Sequence, residues 1–219
     1  MGELRGLRSA GTSGWAAARA LADAAFDLAG RTVGLVGYGH VGQAIARVCT
    51  SGLAMRVLAH TRSEPSAGVQ WAARVPFAEL LQRSDFVVLA CPLTAQTRGL
   101  IGAPQLALMR ESACLINVAR GPVVQEAALI DALQGRRLAG AALDVFDTQP
   151  LPEGHPYWSM EQVLITPHVA GITEDSMLRM GFGAAQAVEQ LLRGELPLNC
   201  INPQAEAAFR RRWAALARS

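Results

Sequence analysis

Gly37, Gly39 and Gly42 fall in the run Gly37-Tyr38-Gly39-His40-Val41-Gly42. Glycines at this spacing suit phosphate binding when the run joins a strand to a helix. The flanks fit that context. Thr32-Val33-Gly34-Leu35-Val36 reads as a strand buried on both faces, and Val41, Ala44, Ile45, Val48 and Cys49 recur at helical spacing. Gly37 then permits the tight turn, Gly39 lets backbone approach a pyrophosphate, and Gly42 lets the helix close on the sheet. The helix start offers unpaired N–H groups and partial positive charge to the phosphates, so Tyr38, His40 and Val41 count as dinucleotide contacts with the glycines. A second signal follows the next strand, Met55–His60. An NAD site has Asp or Glu there to accept from both ribose hydroxyls, but His60-Thr61-Arg62-Ser63 has no carboxylate. Arg62 can pair with a 2′-phosphate, and Thr61 and Ser63 can donate to it. The expected cofactor is NADP(H) in preference to NAD(H).

These residues need strands to carry them to one edge. Further apolar runs at Phe86–Ala90, Cys114–Val118, Leu138–Asp144 and Val163–Ile165 alternate with helical stretches through Leu80-Leu81, after Pro104 and over Gln125–Leu133. Such alternation specifies an α/β fold, a doubly wound parallel sheet of Rossmann type, whose ligands bind beyond the carboxyl ends of the strands. The expected organisation is an Ala-rich linker helix within residues 1–29, running from Trp15 to Leu28. A dinucleotide-binding domain follows over 30–171, then C-terminal helices over 172–219, with a long one over Glu174–Arg193 and a short one carrying Phe209 and Trp213.

Composition narrows the chemistry further. Half of the 219 residues are apolar (51%), 17% are charged and the net charge is +2, so no general attraction to nucleic acid or anionic membrane is implied. Every basic side chain is Arg. A Schiff-base lysine and a Walker-type phosphate loop are both excluded. The run Arg210-Arg211-Arg212 reads as a solvated helix face. Cys49, Cys91, Cys114 and Cys200 are widely spaced; three of them lie in apolar runs and read as small core residues, and a reducing, cytoplasmic setting is the default. No stretch has the length and apolarity of a membrane span or signal peptide. The histidine spacing suggests no metal site, and His40, His60 and His155 read as structural or solvated rather than catalytic.

Six segments together carry a family resemblance. They are Val36 to Gln43, Cys91-Pro92-Leu93-Thr94, Asn117-Val118-Ala119-Arg120-Gly121, Leu143-Asp144-Val145-Phe146, Leu151-Pro152 with His155-Pro156, and Thr166-Pro167-His168-Val169-Ala170-Gly171. In order and spacing the chain resembles the D-isomer-specific 2-hydroxyacid dehydrogenases across roughly Leu28 to Pro203. The resemblance implies reduction of a small 2-keto acid, or oxidation of the 2-hydroxy acid, of glyoxylate, hydroxypyruvate or phosphoglycerate type. Arg120 would grip the substrate carboxylate with a bidentate pair. His168 would be the acid/base. Asp144 would receive the nicotinamide carboxamide. Thr94 and Thr97 would lie near the nicotinamide half, and Cys91, Pro92, Val118, Ala119, Arg120, His168 and Gly171 would border the cofactor. A homodimer is also implied by the resemblance.

Two departures qualify that expectation. The family usually has Glu bonded to the catalytic His where this chain has Gln149, and an amide stabilises an imidazolium less than a carboxylate does. Gln there also occurs in formate dehydrogenases of the same superfamily, which keeps formate-type oxidation as a minor alternative. Asp147 is a candidate to replace the acid. Family members also run about a hundred residues further at the N-terminus, so part of the substrate pocket has no counterpart here, and the apolar face of the Glu174–Arg193 helix is expected to need a partner. The competing function is therefore a non-catalytic dinucleotide-binding or sensor module.

Overall fold

The computed structural model describes residues 25–62 and 71–216. Seven strands form one parallel sheet: β1 (Thr32–Val36), β2 (Arg56–His60), β3 (Ala73–Arg74), β4 (Phe86–Leu89), β5 (Cys114–Asn117), β6 (Gly140–Leu143) and β7 (Val163–Ile165). Their order across the sheet is β3-β2-β1-β4-β5-β6-β7. The chain runs outward from β1 to β3, returns to the middle at β4, and runs outward again. The reversal lies between β1 and β4, where Val36 is in register with Leu89. It is there that a doubly wound sheet leaves a crevice at its carboxyl edge.

Successive strand residues point to opposite faces, and both faces are covered. Val57 and Ala59 join Val33, Leu35 and Val88 in one cluster, under α1 (His40–Leu53). Leu58 lies in the second cluster with Val87, Leu89 and Leu115, beside α2 (Phe77–Arg83), α3 (Ala103–Leu108) and α4 (Glu126–Gln134). Each fully buried Leu is worth about 1.5–3 kcal/mol relative to exposure, so burial on both sides explains the near-continuous apolar strands.

The expected Rossmann-type sheet is present, and most element ends move by one or two residues. The two-residue strand β3 escaped the sequence because Ala73-Arg74 has too few residues to show a period. The α1 periodicity was only half informative. Gly42 and Ala46 are buried and Ile45 half-buried, but Val41 and Val48 are more than half exposed. Of the cysteines only Cys91 is buried; Cys49, Cys114 and Cys200 are intermediate. Residues 1–24, which hold most of the expected linker helix, lie outside the described residues. Its described end, residues 25–28, has no regular structure.

The chain divides into two compact units between Pro167 and His168. The second holds α5 (Glu174–Leu192) and α6 (Glu206–Leu216). Thr173 caps α5, its hydroxyl accepting from the Ser176 N–H at 3.0 Å. No residue of α5 is buried, and Met177, Met180 and Phe182 are exposed. In α6, Phe209 and Trp213 stack at 6.3 Å, and Arg210, Arg211 and Arg212 are exposed, Arg210 pairing with Glu206.

Candidate functional site

The glycine turn is pinned at the carboxyl ends of three strands. The Gly37 N–H donates to the His60 carbonyl at 2.9 Å, and the Ala90 N–H donates to the Val36 carbonyl at 2.9 Å. Gly37 has φ +100, and a Cβ there would stand 2.8 Å from the Ala90 and Cys91 backbone. A Cβ on Gly42 would stand 2.4 Å from the Gly37 carbonyl oxygen. Gly39 differs, because a Cβ there would meet nothing within 4 Å. Two glycines are thus required by the fold, whereas the third keeps open a space that the fold does not use. The first intrahelical bond runs from Gln43 N–H to the Gly39 carbonyl. Helix geometry therefore leaves the N–H groups of His40, Val41 and Gly42 facing that space. Tyr38 is buried, and burial pushes the phenol above its usual range while the Trp71 backbone partly opposes the shift.

Beside the turn opens a cleft of about 430 Å³. Val41, Cys91, Pro92, Val118, Ala119 and Arg120 line it, all expected from the sequence. Ala90 and Leu93 join them; neither is singled out as a contact by the sequence, although Leu93 falls within the Cys91–Thr94 segment that carries the resemblance. Burial pushes the Cys91 thiol up, making it an unreactive wall. The volume, the phosphate-facing N–H groups and the open space at Gly39 fit an extended dinucleotide. A cleft of about 410 Å³ beside Arg136, Leu138 and Glu161 opens before β6 and β7, at the amino edge. That is the wrong edge for ligands of a parallel α/β sheet.

Arg120 reaches the cleft through a turn built by Asn117. This buried side chain accepts from the Ala119 N–H and donates to the Arg120 carbonyl, both at 3.0 Å. Gly121 closes the turn against the loop after β6. A Cβ there would stand 2.0 Å from the Phe146 carbonyl carbon. The Arg120 guanidinium donates to the Ala119 carbonyl at 2.6 Å, and no carboxylate among the described residues pairs with it. Arg120 is exposed.

Asp144, at the end of β6, is buried and accepts from the Thr166 hydroxyl at 2.6 Å. Thr97 uses its hydroxyl on its own loop, donating to the Pro92 carbonyl at 2.6 Å and accepting from the Thr94 N–H at 2.8 Å. Thr61 and Arg62 follow β2, Arg62 exposed; Ser63 lies outside the described residues. Arg74 went unnoticed in the sequence. It donates to the Thr61 carbonyl at 3.2 Å, a contact that exists only because β3 pairs with β2. Gln149 is exposed. Asp147 faces the Glu126 carboxylate and Arg98; desolvation first and Glu126 second raise its pKa above the carboxylate range, while Arg98 opposes them.

His168 and Gly171 belong to the second unit. His168 is exposed and has φ +58. The other described non-glycine residues at positive φ, Ala54 and Arg136, each lie just past a helix end, where that conformation is common. His168 caps no helix. A left-handed backbone at an ordinary residue costs roughly 1–2 kcal/mol, and such strain concentrates at functional positions. His155 is structural: the Tyr157 N–H donates to its Nδ1, so Nε2 carries the proton toward Glu126 at 3.2 Å. Among the described residues no group of three metal-ligating side chains occurs, and no helix is long and apolar enough to cross a membrane.

Comparison with known proteins follows the same outline. Residues 5–170 match the model of the D-isomer specific 2-hydroxyacid dehydrogenase NAD binding domain. The chain is 41% identical over 181 residues to glyoxylate/hydroxypyruvate reductase B of Salmonella newport, covering 82% of this chain but only 56% of that protein. Among solved structures, a D-isomer specific 2-hydroxyacid dehydrogenase from Xanthobacter autotrophicus Py2, in complex with NADPH and MES, is 36% identical with a TM-score of 0.70, over 80% of this chain and 72% of that one. The holo form of Rhodotorula graminis D-mandelate dehydrogenase is 28% identical with a TM-score of 0.80, over 89% and 58%.

Proposed function

We propose, from the premise that this chain belongs to the D-isomer specific 2-hydroxyacid dehydrogenase family, that it forms the cofactor half of an NADP(H)-preferring 2-keto acid reductase. The observation that carries the reading is the Asn117-built turn, which sets at the lip of the dinucleotide cleft an arginine that meets no carboxylate among the described residues. Bound there, the dinucleotide supplies or takes up a hydride. The chain's own residues do the rest. The glycine turn and the N–H groups of His40, Val41 and Gly42 hold the phosphates. Asp144, oriented by Thr166, accepts from the nicotinamide carboxamide. Arg120 grips the substrate carboxylate by two parallel N–H bonds, which fixes the orientation of the keto carbon.

His168 is the proposed proton donor to the carbonyl oxygen, and the acceptor in reverse. Its strained backbone supports a functional role. Gln149, an amide, is proposed to orient the imidazole by hydrogen bonding without adding charge. NADP(H) over NAD(H) rests on Arg62 at the adenosine end, since solved relatives hold NADPH in one case and NAD in others. Glyoxylate and hydroxypyruvate are the first substrates to try.

Arg120→Ala should lower kcat/KM by about 100-fold or more while leaving NADPH affinity within about twofold. Turnover that survives the change would remove Arg120 from the substrate site. Cofactor binding with no turnover on any keto acid would favour the binding-module reading for this chain.

A further inference from the structure

We infer that Gln125 is a positioning residue for the reacting end of the dinucleotide cleft, acting on the cleft wall through the loop that follows β4; the inference rests on the dinucleotide reading above. Gln125 stands at the N-cap of α4, just downstream of Arg120. Its Nε2 donates to the Gly99 carbonyl at 3.1 Å, and its backbone N–H donates to the Ile101 carbonyl at 2.8 Å. Two more backbone bonds join the same segments. The Gly99 N–H donates to the Pro122 carbonyl at 2.8 Å, and the Ile101 N–H to the Val123 carbonyl at 3.1 Å. The loop after β4 and the Arg120 turn are therefore one frame, and Gln125 is the side chain that fastens it.

From Gly99 the constraint reaches the cleft in short steps. The Gly99 carbonyl and the Leu100 N–H belong to one planar peptide. That N–H donates to the Thr97 carbonyl at 3.3 Å, and the Thr97 hydroxyl donates to the Pro92 carbonyl at 2.6 Å. Pro92 lines the cleft together with Arg120. The glycines of the loop match the amide. Gly99 has φ +63, which needs glycine for the backbone alone. Gly102 is buried at an ordinary φ of −118, yet a Cβ there would stand 2.7 Å from Cδ and Oε1 of Gln125. The room that Gly102 leaves is the room the Gln125 amide fills. The amide must also be an amide. A carboxylate of the same shape has no N–H to give, and would turn an acceptor toward the Gly99 carbonyl.

The test titrates the full chain with NADH and with ADP-ribose, which keeps the phosphates and riboses but lacks the nicotinamide. Wild type should bind NADH more tightly. Gln125→Glu should weaken NADH about three- to tenfold, the range for loss of one hydrogen bond, and leave ADP-ribose within about twofold. Gly102→Ala should do the same, because its methyl pushes the amide off Gly99. The double variant Gly102→Ala/Gln125→Ala should then bind NADH no more weakly than either single variant, since both act through one contact. If Gly102→Ala does not fold, Gln125→Glu and Gln125→Ala give the reading without it. Wild type that binds neither ligand defeats the dinucleotide reading and this inference with it. Wild type that binds both ligands equally leaves that reading standing and overturns the inference alone. Unchanged NADH affinity in Gln125→Glu overturns it too. So does an equal loss of both ligands, since Gln125 would then only hold the fold, and so do losses that add in the double variant.

Discussion

Arginine 120 shows how a residue's chemistry is made by its neighbours. On an ordinary surface, an arginine costs side-chain entropy to fix and gains little from one partner. Here the backbone is settled first, by both ends of the Asn117 amide, so the guanidinium starts from a fixed point. Asp147 shows the opposite case. Desolvation and the Glu126 carboxylate disfavour its charged form, although the residue is largely exposed and Arg98 relieves part of the cost. Its folded pKa therefore lies above its unfolded one. Between those two values the folded state binds more protons, and stability falls as pH rises through the window. Asp147→Asn should raise the melting temperature at neutral pH, and the gain should vanish at pH below the ordinary carboxylate range. Thermal melts at the two pH values check this; an equal gain at both would show that the charge is not responsible.

Among elements, the turn between β1 and α1 and the turn after β5 are both glycine-bearing, but their glycines answer to different constraints. Gly121 faces backbone that cannot move aside, the Phe146–Asp147 peptide. Gly121→Ala should cost about 1–3 kcal/mol or more, as overpacking does, and should disturb Arg120 next to it. Gly39 faces open space and has φ −77, which alanine adopts freely. Gly39→Ala should leave the denaturation midpoint within experimental error while weakening NADPH binding. Denaturant melts and cofactor titrations on the two variants would separate them. If Gly39→Ala instead destabilised the apoprotein and left binding intact, the open space would not be a phosphate cradle.

At the scale of the whole chain, the dinucleotide cleft is contained in the unit that ends at Pro167, while His168 opens the other. Cofactor binding should therefore stabilise the first unit without keto acid present. At a hundredfold excess over Kd the gain is about 2.7 kcal/mol, or roughly 5–10 °C in Tm for a domain of this size. A scan with NADPH or NADH alone checks this, and a melt that neither cofactor shifts would contradict it. The chain spans 56% of the length of the Salmonella reductase it resembles, so the substrate's identity belongs to tests of turnover.

Much of this was settled along the sequence. The strand, glycine turn and helix from Thr32 to Leu53, the Asn117–Gly121 segment and the alternation behind the parallel sheet all depend on residues close together in the chain. Local sterics and hydrogen bonding fix such features wherever the segment ends up. The remainder depended on residues far apart. Which face of α1 is buried follows from the sheet beneath it, and so Val41 and Val48 ended outside. That Gly121 is indispensable follows from Phe146, twenty-five residues later. That Arg74 touches Thr61 follows from a two-residue strand that only pairing defines. A chain can announce a motif by spacing alone, but contacts between distant residues exist only once the sheet has brought its strand ends to one edge.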